Sequence, residues 1–491
     1  MSETTVQSHI FPIEEIELGG AVESILVGGR HLMPLLPQAL RGVEEIGVLG
    51  WGSQGPAQAQ NLRDSLAGTG IKVSVGLRAG SPSFAAARRA GFNEADDTLG
   101  ELFDVAARAD MVLLLIADAA QAALYPKLFD ALRPGTTLGL SHGFLVGHLD
   151  TVQDEFPPDI NVIGVCPKGM GPSVRRLYEQ GASLAGAGIN ASFAVEQDVD
   201  GWATDLALAW SVGIGSPYTF RTTFDNEYRS DIFGERGVLL GALHGIVESL
   251  YRRARDLGAT QTEAFEQSCE TLTGPVARTI SARGLRGLLN ELDADGRREF
   301  ERAYTATYRP VLGVLAEIYD EVDSGRELAG VLDAAERLGR HPMGEVEGTP
   351  MWEIGASLRA RRHARATPVV PFAAGVFAAT MTAQVDLLRE KGHPWSEVAN
   401  ESVIEAVDSL IPYMHARGVA YMVDNCSITA RLGARRWGPV FEATLARICY
   451  PAAERGRPAD GGPFDAFLTH PLHDVLATLT TYRPPVDIAV R

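Results

Sequence analysis

Between residues 46 and 55 an apolar, β-type run passes directly into a glycine-rich loop. The string is Ile46-Gly47-Val48-Leu49-Gly50-Trp51-Gly52-Ser53-Gln54-Gly55, and helical periodicity follows over Ala57–Leu66. Glycines in a G-x-G-x-x-G pattern suit a tight turn, close approach of a pyrophosphate and tight helix–strand packing. The helix start then offers unpaired N–H groups and a positive dipole to phosphate. In a chain with 52 Gly such a pattern alone is weak, and the strand–loop–helix context gives it weight. Further apolar runs, Val73–Leu77, Met111–Ile116, Thr136–Leu140, Asn161–Val165 and Ser192–Val195, alternate with helical patterns such as Leu99–Ala107 and Trp202–Val212. Near-continuous apolar strands alternating with helices mark a doubly wound parallel sheet. Residues 1–222 therefore read as a Rossmann-type α/β domain with a lead-in of about 40 residues.

From residue 223 the texture becomes helical, and the chain repeats itself. A shift of 134 lays Gly241 on Gly375, Gly258 on Gly392, Glu263 on Glu397 and Ser268 on Ser402. The same shift lays Ala282-Arg283-Gly284 on Ala416-Arg417-Gly418. Residues 223–491 thus read as an all-helical domain containing an internal duplication. The segment Arg340–Pro368, rich in Gly, Pro and Arg, reads as the connector.

The second strand ends in Gly76-Leu77-Arg78-Ala79-Gly80-Ser81-Pro82-Ser83, without the acid that would hold ribose hydroxyls. Arg78, Ser81 and Ser83 instead supply donors for a 2′-phosphate, which favours NADPH over NADH. The plain alternative is a solvated turn, since Gly, Ser and Pro are ordinary turn residues.

Two carboxylate pairs stand four residues apart, Asp231/Glu235 and Glu401/Glu405. On a helix that spacing puts like charges on one face, a cost that a divalent cation removes. Oxygen-only donors favour Mg²⁺ over zinc. In a chain with 62 acids two solvated faces fit the spacing equally well. Under the shift of 134, Asp231 and Glu235 fall on Arg365 and Val369, while Glu401 and Glu405 fall back on Gln267 and Thr271. Each half keeps one pair and lacks the other. If the halves pack about a pseudo-twofold axis, the pairs meet once and build one two-metal site.

These strings resemble the ketol-acid reductoisomerase (acetohydroxyacid isomeroreductase) family. The likeness rests on Gly50–Gly55 within Gly-Trp-Gly-Ser-Gln-Gly-Pro-Ala-Gln-Ala-Gln, on Leu140-Ser141-His142-Gly143-Phe144 and on Cys166-Pro167-Lys168-Gly169-Met170-Gly171-Pro172. It continues through Ser230-Asp231-Ile232-Phe233-Gly234-Glu235-Arg236, Asn400-Glu401-Ser402-Val403-Ile404-Glu405-Ala406 and Asp424-Asn425-Cys426-Ser427. The chain is most similar to the long, plant-type form with a duplicated helical domain; Ala117 stands where that form is expected to carry Ser. The resemblance implies a 2-acetyl-2-hydroxy acid substrate, acetolactate or 2-aceto-2-hydroxybutyrate, in valine and isoleucine synthesis. Mg²⁺-dependent alkyl migration would precede NADPH reduction to a 2,3-dihydroxy acid.

By the same resemblance Asp231 bridges two Mg²⁺, Glu235 ligates one, and Glu401 and Glu405 serve the other. Glu405 is also the expected proton shuttle. The cofactor contacts expected are Gly50, Gly52, Ser53, Gln54, Gly55, Arg78, Ser81, Ser83, Asp118, Gln121 and Gly143. Lys168 follows a strand, where open α/β sheets place their ligands, and would hydrogen-bond a developing oxyanion. A surface loop lysine is its plain alternative, weakened because the chain has only four Lys (Lys72, Lys127, Lys168, Lys391). His142 is expected mainly to position cofactor and site. Ser427 is expected at the substrate carboxylate, with a helix cap as the bland reading. Glu227, one turn before Asp231, is expected beside substrate as support for the metal site, or else as a solvated acid.

A net charge of −18 argues against nucleic-acid or anionic-membrane partners. Apolar runs of about six residues are too short for a membrane-spanning helix. Met1-Ser2-Glu3-Thr4-Thr5 lacks a signal-peptide pattern. Four Cys without zinc spacing read as reduced thiols. The expected compartment is the cytoplasm for a bacterial protein and the plastid stroma for a processed plant one, with a homodimer favoured. A metal-free β-hydroxyacid dehydrogenase, with a lysine for proton transfer, and a non-catalytic NADPH-binding scaffold are the competing classes. Both leave the carboxylate pairs unexplained.

Overall fold

The structure, a computed structural model, describes residues 6–184, 186–361, 367–456 and 462–482. Met1–Thr5 and Arg365, on which two of the expectations above fall, lie outside the described residues. The chain divides into two compact units, one running to Tyr228 and including Thr480–Tyr482, the other Arg229–Leu479. The division falls inside the Phe224–Arg236 helix, a few residues past the expected 222/223 boundary.

The first unit is built on a ten-stranded sheet. Its strands are β1 (Glu14–Leu18), β2 (Ala21–Val27), β3 (Glu45–Leu49), β4 (Lys72–Leu77), β5 (Leu99–Glu101), β6 (Met111–Leu114), β7 (Thr137–Leu140), β8 (Asn161–Pro167), β9 (Ala191–Gln197) and β10 (Tyr218–Arg221). Six of them, in spatial order β5-β4-β3-β6-β7-β8, are parallel, and the order reverses between β3 and β6. Every residue of β3, β6, β7 and β8 is buried, as expected of strands covered on both faces. One face carries Gly55–Ser65 and Ala203–Ile214, with Leu62, Trp210 and Val212 in its core. The other carries Leu102–Arg108 and Phe144–Val152, with Val105, Leu145 and Leu149 in its core. The expected α/β class is therefore observed, with a mixed extension. β9 runs antiparallel to β8, and the antiparallel hairpin β1–β2 joins the sheet through β10.

Three local readings needed correction. The lead-in contains β1 and β2, and β10 follows Ile214, where periodicity showed nothing. These strands are short or alternate between buried and exposed residues, so their order comes from pairing. Leu99 begins an edge strand on β4 rather than a helix; the helix starts at Leu102, where Glu101 caps it by accepting the Phe103 N–H at 2.8 Å. Finally, Pro371–Glu390 is long and apolar enough to cross a membrane by composition, yet 89% of its most apolar 18 residues is buried. Scattered Thr, Gly and Gln hid its overall hydropathy from a search for unbroken apolar runs.

The second unit is helical, and its elements recur at an offset of 134. Gln261–Phe265 returns as Trp395–Ala399, and the wide-turn π segments Glu266–Glu270 and Leu272–Val276 return as Asn400–Ile404 and Ala406–Leu410. The helix from Ala277 to Glu291 breaks at Gly284 (φ 66°), and its counterpart, from Ile411 to Asn425, breaks at Gly418 (φ 118°). Asp293 caps the Ala294–Asp323 helix as Ser427 caps Ile428–Thr444. Packing crosses between the halves: Gly241–Asp256 lies on Ile428–Thr444, and Ala294–Asp323 lies on Pro371–Glu390. These two contacts are the same contact under the shift, so the halves interlock about an approximate twofold.

Candidate active site

At the switch in strand order, β3 is followed by Gly50, whose φ of 108° suits only glycine. A Cβ there would stand 2.6 Å from the Leu115 carbonyl oxygen, and one on Gly55 would stand 2.3 Å from the carbonyl oxygen of Gly50. Gly52 differs: a Cβ there meets nothing within 4 Å, so protein packing does not demand this glycine. Room reserved beside a helix N-terminus is what a close-lying pyrophosphate requires. The Gly50–Gly55 loop is in turn buttressed by the loop after β8. Gln54 Nε2 donates to the Gly169 carbonyl at 2.9 Å, and a Cβ on Gly171 would lie 1.7 Å from Ser53 O. Below it Gln58 donates to Ser141 Oγ (3.0 Å) and accepts from Trp210 Nε1 (2.8 Å), while Ser141 donates to Val165 O (2.7 Å).

Arg78 leaves β4 exposed, and Ser81 and Ser83 are half-buried in the same turn. Ser81 N–H donates to Arg78 O (3.0 Å), and Ser83 N–H to Ser81 Oγ (3.2 Å). The three are thus held as one group at a strand end. Asp118 starts a helix with one carboxylate oxygen 4.0 Å from His142 Nδ1. Gln121 is buried and donates to Ile116 O at 2.9 Å, while its Oε1 has no hydrogen-bond partner among the described residues.

Glu227 is the hub of the remaining residues in this unit. It is 1% exposed, accepts the Gly143 N–H on Oε2 at 2.6 Å, and stands with Oε1 3.7 Å from Lys168 Nζ. Lys168 itself is 3% exposed, so it is neither a surface lysine nor an isolated buried charge. The solvated-acid alternative for Glu227 and the surface alternative for Lys168 both fail on burial.

In the helical unit, Asp231, Glu401 and Glu405 each bring one carboxylate oxygen within 4.8 Å of the others. Glu401 is wholly buried and Glu405 7% exposed, so these are not solvated helix faces. Glu401 lies in the Asn400–Ile404 π segment and Glu405 joins it to the next. Such widened turns concentrate at functional sites. Clustered buried carboxylates demand positive charge, and an oxygen-only donor set fits Mg²⁺. Glu235 borders the group: its Oε2 accepts from Arg236 (3.0 Å) and its Oε1 from Ser427 Oγ (3.3 Å). Burial pushes the neighbouring Cys426 thiol up to about 12, with the negative charges of Glu235, Asp231 and Glu405 acting in the same direction. Ser427 is exposed and also accepts the Ala430 N–H at 3.0 Å, so it does cap a helix.

Residues 40–219 match the family model described as acetohydroxy acid isomeroreductase, NADPH-binding domain, and residues 224–364 match ketol-acid reductoisomerase, C-terminal domain. The chloroplastic ketol-acid reductoisomerase of Spinacia oleracea is 52% identical over 492 residues, covering 98% of this chain and 83% of that one. The chain belongs to the ketol-acid reductoisomerase family. A relative from Desulfosudis oleivorans, named as an NAD(+) ketol-acid reductoisomerase, is 34% identical over 353 residues, covering 71% of this chain and 97% of that protein. A solved NADH-preferring ketol-acid reductoisomerase from an uncultured archean shares the fold at a TM-score of 0.57 and 24% identity, covering 66% of this chain and 96% of that one.

Two features of this ketol-acid reductoisomerase chain escaped sequence reasoning. Arg236 is fully buried and joins Glu235 to Glu327, which also accepts from Arg436 and Trp437 (2.9 and 3.1 Å). Gln384 is fully buried in the apolar Pro371–Glu390 helix. An amide side chain within the mostly apolar run Phe372–Val385 was the available signal for Gln384. Nothing in the sequence pairs Arg236 with a residue so far along the chain as Glu327.

Proposed function

We propose that the protein converts a 2-acetyl-2-hydroxy acid, 2-acetolactate or 2-aceto-2-hydroxybutyrate, into a 2,3-dihydroxy acid by alkyl migration and then reduction. NADPH and two Mg²⁺ are its cofactors, and the place of the reaction is valine and isoleucine synthesis. The observation that carries this reading is the convergence of Asp231, Glu401 and Glu405 on one point of the helical unit. A simple dehydrogenase has no use for three converging carboxylates there, whereas moving an alkyl group between adjacent oxygen-bearing carbons does. Bound Mg²⁺ supplies Lewis-acid polarisation of neighbouring oxygens, and bound NADPH supplies the hydride.

The chain's own groups divide the remaining tasks. Asp231, Glu235, Glu401 and Glu405 would hold the metals, with Arg236 and Ser427 orienting Glu235. Glu405, the less buried of the Glu401/Glu405 pair, takes the tertiary hydroxyl proton and returns it. Lys168 presents its Nζ to developing negative charge, and Glu227, 3.7 Å away, aims it. Gly52 gives the pyrophosphate room, with Gly50, Ser53, Gln54 and Gly55 shaping the loop around it. Arg78, Ser81 and Ser83 hold the 2′-phosphate. Asp118, Gln121, His142 and Gly143 border the cofactor, and Ser427 meets the substrate carboxylate. Because one helical unit contains Asp231, Glu401 and Glu405, a second chain is not needed to assemble them, and we expect a homodimer on other surfaces.

The test is purified protein with NADPH, Mg²⁺ and 2-acetolactate, followed by loss of nicotinamide absorbance. Turnover that requires Mg²⁺ is expected. No turnover, or turnover indifferent to Mg²⁺ removal by chelator, would overturn the reading.

A further inference from the structure

Gln384 has no exposed surface, and a buried amide is tolerated only when its donor and acceptor are both satisfied. Its Oε1 accepts the Val238 N–H at 2.9 Å, and its Nε2 donates to Ser402 Oγ at 3.2 Å. The amide orientation follows from chemistry, because a peptide N–H can only donate. Val238 lies two residues past the helix that carries Asp231 and Glu235, while Ser402 stands between Glu401 and Glu405. Gly237 makes room for the contact: a Cβ there would lie 1.9 Å from Gln384 Oε1.

The equivalent site under the shift of 134 lacks this bridge. The position of Gln384 is Leu250 there, and Val238 corresponds to Phe372. Ser268, the counterpart of Ser402, turns its hydroxyl onto its own helix, donating to Ala264 O at 2.7 Å. The polar strut therefore occurs only where the Asp231/Glu235 pair of one half comes together with the Glu401/Glu405 pair of the other. Ordinary helix packing, common to both halves, does not call for it.

We propose that Gln384 is a positioning residue that sets the separation of the Asp231/Glu235 and Glu401/Glu405 pairs, and so the metal affinity of the site. This rests on the metal role proposed above for those carboxylates. Gln384 has no exposed surface and acts through the two elements it joins.

The experiment measures Mn²⁺ binding by the resonance of the free ion, together with NADPH binding by fluorescence and melting temperature. Wild type, Gln384→Leu and Ser402→Ala are compared. The expected result is Mn²⁺ affinity about tenfold weaker in Gln384→Leu and about threefold weaker in Ser402→Ala, with NADPH affinity unchanged. Folded variants that bind Mn²⁺ as wild type does overturn the proposal, whatever their melting temperatures. Should Gln384→Leu fail to fold, Ser402→Ala, which loses one hydroxyl, decides on its own. Absence of Mn²⁺ binding by wild type would instead refute the metal reading itself.

Discussion

The two halves of the helical unit share the run of elements from Gly241 to Asp293, which returns from Gly375 to Ser427, and they differ in what their π segments carry. Glu401 is buried, while its counterpart Gln267 is exposed; Glu405 joins a carboxylate cluster, while its counterpart Thr271 is buried in a neutral hydrogen-bonded setting. The Thr271 hydroxyl donates to Pro368 O and accepts from Val370 N–H, both at 2.9 Å, and so ties down the connector between the halves. A duplicated backbone thus supports a charged centre on one side and a structural anchor on the other. The polar supports follow the charge: Gln384 stands on one side only.

The comparison would break most severely at Glu405. Glu405→Gln is expected to slow alkyl migration about a thousandfold, the scale of a lost general acid–base group, with little change in NADPH affinity. Normal turnover in that variant would remove Glu405 from the proposed chemistry.

Next in size is Glu327, the support behind Arg236. Burial alone would raise its carboxyl, but Arg236, Trp437 and Arg436 outweigh that and hold it below the usual carboxylate range. A depressed pKa contributes stability above the unfolded value, about 4.3, and that contribution is lost as pH falls through the folded value. Glu327→Gln should therefore cost about 3 kcal/mol in urea unfolding near neutral pH. The gap from wild type should narrow below pH ~4. A gap that widens on acidification would contradict the assigned ion pairs.

Thr271→Glu sharpens the contrast from the opposite side. Restoring one acid buries a charge and removes two hydrogen bonds, at a cost of about 2 kcal/mol. It should add no Mn²⁺ equivalent, because Val369 stands where the other half has Glu235. An additional Mn²⁺ bound per chain would show the second half to be competent after all.

The smallest effect on stability is expected in the unduplicated unit. Gly52→Ala should shift stability by less than about 0.5 kcal/mol, since the new methyl meets no protein atom. NADPH should bind measurably more weakly by fluorescence titration. Unchanged NADPH binding would mean that the open space at Gly52 is not the pyrophosphate seat.

Much of this was legible in the residues. The strand–glycine–helix string, the buried strands and the constant offset all reflect local rules: periods of two and 3.6, turn stereochemistry, and repetition. Burial of Lys168 and Glu227 was not legible, because a loop lysine and a helix-start glutamate look the same whether solvated or paired. The π segments were hidden as well, since an i→i+5 bond pattern leaves no clear composition signal. The strands β1, β2 and β10 were missed because short, alternating runs take their order from the neighbours they pair with.

By itself the sequence determined the fold class, the glycine loop, the duplication and the complementarity of the carboxylate pairs. These are properties of residue type and spacing along one chain. Only the tertiary structure decided that Asp231, Glu401 and Glu405 meet within 4.8 Å, and that Gln384 bridges the elements bearing the two pairs. Those facts depend on which helices cross, and crossing is set by the packing of whole faces over many residues rather than by any motif.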